Sequence, residues 1–571
     1  MYIEIIPNRN SPPAILLRES IRKGKRVLKR TLANLSHWSA QKIENLRRVL
    51  GDRLLVAPED LFTIQRSIPL GHVEIVLGTL RKLNLEAMIS AKRCPERDLI
   101  VAMIVERILC PSSKLATTRI WHSSTLSSDL SIEQADENDL YAALDWLLAR
   151  KETIEKKLAT KHLVSGALVL YDVSNSFYYG RTCPLAKYGN NKSKNGLPVI
   201  AYGVLADAQG RPVAVDIYPG NTGDSKTVPG QVTKIRGKFG LEHIVLAGDR
   251  GMLTQVQIDA IKKHPDMGWI SALRSHSIRD LMVAGTLQRS LFDQKNLAEI
   301  TSSEFPGERL IACYNPVLAD ERRRTRNELL KATENKLEKI SKAVKRRTKK
   351  PLKAGEIGIK AGKIINHFKM AKHFELKIEN GIFTFARKIE AIQNEENLDG
   401  MYVIRTNESS ERLSADQAVR NYKSLAQVER AFRCLKGVDL MLRPIYLRNE
   451  DHVRAHIFLC MLAYYVEWHM LQSLTPLLFS DEELTRDRTT RDPVLPAKPS
   501  NSAVEKRASH TTPDGLEVES FKTLLKAMET RTRNICMVKS DQAAESDPNS
   551  TFVQISNPTP LQARVLELLG L

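Results

Sequence analysis

The sequence predicts an α/β fold in which a central sheet is flanked by helical segments. Residues 166–171 form an apolar run that is typical of a central strand covered on both faces. Two further apolar runs, 197–205 and 212–217, are joined by Asp207-Ala-Gln-Gly210, a sequence that favours a hairpin turn. On either side of the strands, apolar residues recur three and four positions apart, which indicates helices. At roughly 100–200 residues per domain, a chain of this length holds about three to five structural units.

The N-terminal segment, residues 1–160, is predicted to be a basic hairpin followed by a helical region that binds DNA. Apolar runs flank Gly24, which stands between two pairs of basic residues. Glycine between extended runs favours a tight turn. The charged turn either contacts phosphate or is simply solvated. From residue 39 to about 161 the periodicity is helical. The basic residues at the turn are Arg22, Lys23, Lys25 and Arg26.

Residues 161–279 are predicted to form the first part of the core. After the three strands already described, residues 243–247 form a fourth and residues 269–273 a fifth, with a helical segment between them. The first and the fourth of these strands are each followed by an aspartate, Asp172 and Asp249. Another aspartate, Asp224, lies in a Gly-Asn-Thr-Gly-Asp-Ser loop, where it either supports the same site or forms a turn.

Residues 280–400 are predicted to be an insertion domain. Its segment 321–350 is strongly basic and places Leu330, Leu337, Ile340 and Val344 on one helical face. The basic back of this helix either contacts DNA, with Arg346 and Arg347 at its end, or is a solvated face supported by ion pairs along the helix.

Residues 401–475 are predicted to complete the core, and residues 476–571 to form a flexible tail. Ser414 and Gln417 make a capping box, and Gly437 gives a stop, so one helix of about 22 residues is expected between them. A second apolar helix follows over 452–471. The last segment is rich in Ser, Thr, Pro, Asp and Glu, a composition that is typical of flexible chain.

The composition excludes several classes of protein. The chain has 571 residues, of which 42% are hydrophobic and 27% charged, so it is not predominantly disordered. The most apolar stretch, 457–466, is shorter than the about 18 residues that a membrane span requires. No signal peptide is visible, and seven scattered cysteines without a C-x-x-C pair fit the cytosol and disfavour a structural zinc site. The net charge of +20 favours a polyanionic partner, nucleic acid before membrane.

Three carboxylates are the candidate catalytic and metal-binding residues: Asp172, Asp249 and Glu429. Glu429 shares one helical stripe with Tyr422, Leu425, Phe432 and Lys436. A carboxylate on a stripe that faces the core is costly unless something neutralises it.

Bound Mg²⁺ would turn the mutual repulsion of three such groups into a site, because this cation prefers oxygen ligands. Two such ions about 3.5–4 Å apart can hold the attacking and the leaving oxygen of a phosphoryl transfer. The alternative for each aspartate is a helix cap or turn, and for Glu429 a pairing with Arg430 or Arg433.

These residues stand in motifs by which the chain resembles the DDE transposases of bacterial insertion sequences. The resemblance lies in the superfamily named after insertion sequence four, in a group with a long insertion before the catalytic Glu. In that superfamily the helix motif usually has Arg where this chain has Leu425, so one expected DNA contact is missing. The matching motifs are Leu170-Tyr-Asp172-Val-Ser, Pro219-Gly-Asn-Thr-Gly-Asp224-Ser-Lys-Thr227, Ala247-Gly-Asp249-Arg-Gly251 and Tyr422-x2-Leu425-x3-Glu429-x6-Lys436.

The resemblance implies a ribonuclease-H-like catalytic domain that carries Asp172, Asp249 and Glu429 and is interrupted by the insertion domain. It implies two Mg²⁺ ions per site, for which Mn²⁺ can substitute, and DNA contacts from Tyr422 and Lys436; Arg250 is also assigned to DNA contact. The expected activity is cleavage at the element's ends to free 3′-hydroxyls, followed by joining to target DNA. We expect a homodimer on DNA, located in the cytoplasm at the nucleoid. The alternatives are a metal-dependent nuclease without strand transfer and an inactive DNA-binding relic.

Overall fold

The computed structural model describes residues 1–9, 11–51, 62–189, 196–241, 243–264, 266–538 and 551–571. These residues form two compact units, each built from two stretches of chain. The first unit comprises Met1–Pro69 and Arg531–Asn557, and the second comprises Leu70–Thr530 and Pro558–Leu571.

The first unit begins with an antiparallel three-stranded sheet in the order β1-β2-β3. Lys23 pairs with Arg26 across a turn in which Gly24 has a φ of +59°, a conformation that glycine adopts without strain. This confirms the predicted hairpin. The elements of this stretch are β1 (Tyr2–Ile6), β2 (Ala14–Lys23), β3 (Arg26–Asn34), α1 (Ala40–Leu50) and β4 (Phe62–Pro69).

Among the described residues, the helical region predicted from residue 39 to about 161 is present, except that β4 is a strand; residues 52–61 of this prediction lie outside the described part of the chain. It pairs with a strand from the C-terminal part of the chain, and such a partner is not visible in the local periodicity. Helix α7 begins at a capping box formed by Asp136 and Asp139. The helices are α2 (Gly71–Lys82), α3 (Leu85–Ile89), α4 (Pro95–Leu109), α5 (Lys114–Ile120), α6 (Leu126–Leu130) and α7 (Glu137–His162).

The central sheet of the second unit starts with three antiparallel strands, and two further strands then run parallel to the first of them. This succession is that of a ribonuclease-H-like fold, so the predicted fold class is confirmed. The strands and the helices between them are β5 (Ala167–Phe177), β6 (Val199–Asp207), β7 (Pro212–Pro219), α8 (Val228–Thr233), β8 (Ile244–Ala247), α9 (Gln255–Ile261) and β9 (Met267–Ala272).

The segment predicted as a separate insertion, 280–400, is partly built into this sheet. The whole sheet has the order β10-β11-β14-β9-β8-β5-β6-β7. A hydrophobic cluster of its own is confined to residues between Leu330 and Phe383. The elements are α10 (Ser275–Val283), β10 (Leu297–Ile300), β11 (Arg309–Tyr314), α11 (Pro316–Arg346), α12 (Ala354–Phe368), β12 (Phe374–Glu379), β13 (Ile382–Arg387), α13 (Ile389–Glu396) and β14 (Met401–Thr406).

The single helix predicted between Ser414 and Gly437 is two helices, α14 (Ala415–Lys423) and α15 (Leu425–Lys436). The capping box at Ser414 is present, but the helix is interrupted at Ser424. The guanidinium of Arg488 contacts both the Ser424 hydroxyl and the Arg420 carbonyl at this point. The next helix, α16 (Glu450–Ser473), is buried along most of its length and forms the centre of the core.

The prediction of a flexible tail over 476–571 is wrong for the described part of that segment. Apolar residues at helical spacing, such as Leu524, Met528 and Val565, are buried in the main core, a pattern that the polar average composition hides. No helix of the described residues is long and apolar enough to cross a membrane. The C-terminal elements are α17 (Leu484–Thr490), α18 (Asn501–Ser509), α19 (Phe521–Glu529), β15 (Thr532–Val538), β16 (Thr551–Ile555) and α20 (Pro560–Leu569).

Candidate active site

Two of the predicted carboxylates are placed by the register of adjacent parallel strands. In the β5–β8 pair, Leu170 lies opposite Ala247. Asp172 and Asp249 each follow two positions after this pair, so both lie at the same edge of the sheet. Asp249 follows the end of β8, whereas Asp172 lies within β5, which continues to Phe177, so the prediction that Asp172 follows the end of its strand is wrong. The parallel register still makes the two aspartates neighbours, although they are far apart in sequence.

Asp249 is exposed and is held by two hydrogen bonds. The backbone amide of Gly251 donates to its Oδ2 at 3.3 Å. The hydroxyl of Tyr422, on α14, donates to its Oδ1 at 3.4 Å. The predicted Tyr422 therefore reaches the sheet edge, and Arg250 is exposed beside it.

Glu429 lies on α15, which packs against β5. The helix buries Val428, Ala431 and Leu435 in the core, whereas Glu429 is exposed. The prediction that Glu429 lies on a core-facing stripe is therefore wrong. Spacing in the sequence defines which residues share a face of the helix, but it does not show which part of that face is buried by other elements.

The electrostatics of Asp172 show that four carboxylates act on one another. Burial, together with the negative charges of Asp249, Glu429 and Asp224, raises the pKa of Asp172 to about 6. The Val173 amide, which donates to Asp172 Oδ1 at 2.8 Å, opposes the shift. Burial and the charge of Asp249 likewise raise the pKa of Asp224. Among the described residues, none of the four is in an ion pair with Lys, Arg or His.

The chemistry of these donors suits a divalent cation, although the structure does not bring three of their oxygens within 4.8 Å of one another. Hard oxygen ligands with uncompensated negative charge are the ligands that Mg²⁺ and Mn²⁺ prefer. Asp172, Asp249 and Glu429 are the residues that would hold such ions. The sequence left two readings open for Asp224, support of this site or a turn, and its electrostatic interaction with Asp172 and Asp249 shows that it lies near them.

Lys436 is partly buried beside these carboxylates. Its Nζ forms a hydrogen bond with Ser174 Oγ and lies 5.7 Å from the ring centres of both Tyr202 and Phe432. Burial lowers the pKa of Lys436 to about 8, while the charge of Asp172 acts in the opposite direction. The prediction that Lys436 shares the Glu429 face and reaches the site agrees with this placement.

The other predicted DNA-binding residues lie on exposed segments outside the residues described above. The basic hairpin is exposed and belongs to the first unit. The basic pair from the insertion is exposed at the C-terminal end of α11. The residues concerned are Arg22, Lys23, Lys25 and Arg26 in the hairpin, and Arg346 and Arg347 after α11.

A second group with metal-ligand chemistry lies on the other face of α15. Within the described part of the chain, the one set of three ligand atoms that all lie within 4.8 Å of one another belongs to Cys434, Asp439 and Glu467. The Cys434 thiol donates to Glu467 Oε1 at 3.3 Å. Burial raises the pKa of Glu467 to about 7, so the carboxyl is largely protonated at mildly acidic pH.

We expect Glu467→Gln to stabilise the protein at pH 8. The pKa of Glu467 is raised in the folded state, so its contribution to stability is fully present below about pH 4.5 and is lost as the pH rises through about 7. The loss amounts to at most about 3 kcal/mol. Gln is neutral throughout and can still accept the thiol hydrogen. Urea unfolding at pH 5 and pH 8 measures the free energy of unfolding of both proteins. An equal difference between the variant and the unaltered chain at the two pH values would contradict the prediction.

One family model matches the chain over about half of its length. The family model described as "Transposase DDE domain" matches residues 176–466, a range that includes Asp249 and Glu429 and begins just after Asp172. Among solved structures, the chain is similar to one titled "Cryo-EM structure of piggyBac transposase synaptic complex with hairpin DNA". That similarity has a TM-score of 0.33 and 10% identity, over 84% of this chain and 87% of the other. No curated protein matches the chain.

Proposed function

The chain belongs to the transposase DDE domain family. We propose that it mobilises an insertion sequence. It binds the inverted repeats at the two ends of the element and cleaves there to free 3′-hydroxyls. It then joins those hydroxyls to target DNA. We further assign it to the bacterial superfamily named after insertion sequence four, because its four motifs match the pattern of that group.

The observation that carries the proposal is the meeting of the acidic residues at one edge of the sheet. The register of β5 and β8 aligns Asp172 with Asp249, and the charge of Glu429 acts on Asp172. DDE transposases use divalent metal ions, and we assign two Mg²⁺ ions, replaceable by Mn²⁺, to Asp172, Asp249 and Glu429. When bound, such ions lower the pKa of the attacking hydroxyl and stabilise the leaving oxygen.

The chain's own residues around the carboxylates orient them and bind the DNA backbone. The Tyr422 hydroxyl holds Asp249 in one orientation through its hydrogen bond. Lys436, beside the rings of Tyr202 and Phe432, presents a positive charge at neutral pH to a phosphate at the cleaved end. Arg250 extends this contact.

The hairpin cations Arg22, Lys23, Lys25 and Arg26, together with Arg346 and Arg347 at the end of α11, bind phosphates farther along the duplex. A pair of element ends calls for a two-fold symmetric dimer on DNA. We place the protein at the nucleoid in the cytoplasm.

We expect the affinity for end DNA to fall as the pH rises above about 8, and Lys436→Arg to remove much of this fall. Lys436 is charged below its pKa of about 8 and neutral above it. A bound phosphate favours the charged form, so binding weakens with pH once the free protein has lost the proton. Fluorescence anisotropy at constant ionic strength between pH 7 and 9 measures the slope. An unchanged slope in Lys436→Arg would show that another group titrates.

The proposal is tested with purified protein, labelled end DNA, a target plasmid and Mg²⁺. We expect cleavage at the ends and covalently joined products of higher mass. Cleavage without joined products would identify a nuclease. Binding with neither product would identify an inactive relic. Binding should also weaken steeply with salt, because neutralised phosphates release their counterions.

A further inference from the structure

A cavity of about 660 Å³ lies between the helical region and the segment that leads into α16. None of the acidic residues assigned to catalysis lines it. Its walls come from the connection between α4 and α5, from α7, and from residues 441–456. This volume lies within the range of sites that hold small organic ligands, about 300–1,000 Å³.

Basic side chains are buried in the wall of this cavity. Arg107 and Lys114 are each 6% exposed, and His456 is 7% exposed. Arg107 Nη2 donates to the Ser112 carbonyl at 3.2 Å, but its buried Nε has no hydrogen-bond partner. His456 Nε2 lies 3.2 Å from the Leu442 carbonyl oxygen, and its Nδ1 is also without a partner.

No carboxylate compensates these groups within the described part of the chain. Neither Arg107 nor Lys114 forms an ion pair there, and burial together with the charge of Arg107 lowers the pKa of Lys114 to about 7. The adjacent Glu106 is buried, and burial is the cause that raises its pKa to about 7. A buried cation without a partner is costly, and an anion that enters the cavity would relieve this cost.

The rim of the cavity is aromatic. Tyr446 is 63% exposed at the entrance. Tyr141 is stacked on His452, with the ring centres 4.9 Å apart and the planes 19° from parallel. Exposed or stacked rings of this kind bind planar heteroaromatic groups, because a nucleobase offers a π-face of similar size.

We propose that this cavity is a nucleotide-binding site. Its phosphate lies against Arg107 and Lys114, and its base lies against the rings of Tyr446 and Tyr141. The nucleotide is either free or one unit of a DNA strand. The site goes beyond the proposed function, since its lining includes none of the acidic residues assigned to catalysis.

Isothermal titration calorimetry of the full chain with dAMP, and separately with short oligothymidylate, tests the proposal. We expect saturable binding of at least one probe, and a loss of about tenfold or more in affinity for both Lys114→Met and Tyr446→Ala. Lys114→Met removes a buried charge without a large change in shape and should fold, and Tyr446 is too exposed to support the core. Lys92→Met, an exposed lysine elsewhere, is the matched control and should bind like the unaltered chain.

Each outcome decides a point. If dAMP binds and both Lys114→Met and Tyr446→Ala weaken its binding, the ligand is a free nucleotide. If only the oligonucleotide binds in this way, the ligand is one unit of a DNA strand. Absence of binding by both probes, or equal affinity in Lys114→Met, Tyr446→Ala and the parent, would overturn the proposal. The lining of the cavity includes none of the acidic residues assigned to catalysis, so failure here is separable from failure of the proposed transposition chemistry.

Discussion

Asp249→Asn is expected to abolish DNA cleavage, with a rate at least about 10³-fold lower than that of the unaltered chain. The substitution keeps the size of the side chain, and its one amide oxygen can still accept from either Gly251 or Tyr422, which donate to different carboxylate oxygens of Asp249. It removes the negative charge that a divalent cation requires. Cleavage of labelled end DNA in Mg²⁺, under single-turnover conditions, measures the rate.

DNA binding separates a loss of chemistry from a loss of substrate. Because the substitution removes a negative charge near the DNA path, we expect the affinity for end DNA to be unchanged or higher. Asp172→Asn and Glu429→Gln should lower the rate in the same way. Asp259→Asn, at an exposed aspartate on α9, is the control and should cleave normally. Cleavage at the parental rate in all three site variants would refute the metal-site assignment.

Glu155→Ala is expected to destabilise the second unit by about 3–5 kcal/mol. Glu155, on α7, is 1% exposed and forms ion pairs with Lys151 at 2.7 Å and Lys234 at 3.0 Å. It also accepts from the Val215 amide of β7 at 3.0 Å. Removal of the carboxylate leaves two buried ammonium groups that share only Asp216, and leaves the β7 amide without its acceptor.

Urea unfolding measures the effect on stability. Glu152→Ala, one turn earlier on the same helix, is the matched control, because its pair with Lys238 is exposed and should contribute no more than about 0.5 kcal/mol. Glu155→Gln keeps an acceptor for the Val215 amide, so its loss in the free energy of unfolding should lie between those of Glu155→Ala and Glu152→Ala. Burial alone would raise the pKa of Asp216, but the charges of Lys151 and Lys234 lower it to about 2, so Asp216 stays ionised at neutral pH. Equal stability of the Glu155→Ala and Glu152→Ala proteins would contradict this account.

The sequence was most informative where a short local pattern determines the structure. Apolar runs that end in an acidic residue located β5 and β8, and the parallel register then placed Asp172 beside Asp249. Capping residues located the start of α14 but not its end at Ser424, because that break depends on contacts with Arg488, more than sixty residues later. The exposure of Glu429 also depends on neighbours that spacing alone does not reveal.

The C-terminal segment was the least predictable from sequence, because long-range pairing gives its elements their partners. Its strand β15 is stabilised by β4 and β16, and its helix α20 packs against α2. The average composition of the segment does not reveal the pairing of β15 or the packing of α20. In the same way, the sheet strands β10 and β11 were assigned to a separate insertion, because the sequence does not show that they extend the edge of an existing sheet.

The pairing of β4 with β15 also has a consequence for the order in which a newly made chain can fold. Ser67 on β4 donates to Asn534 on β15, 467 residues later. At about 5–20 residues per second, a ribosome needs roughly half a minute to a minute and a half to deliver that partner. During this time the nascent chain contains the basic hairpin and, later in the sequence, the segment of β4 without its partner strand β15. The sheet of β4, β15 and β16 can therefore form only after translation of the catalytic core is complete.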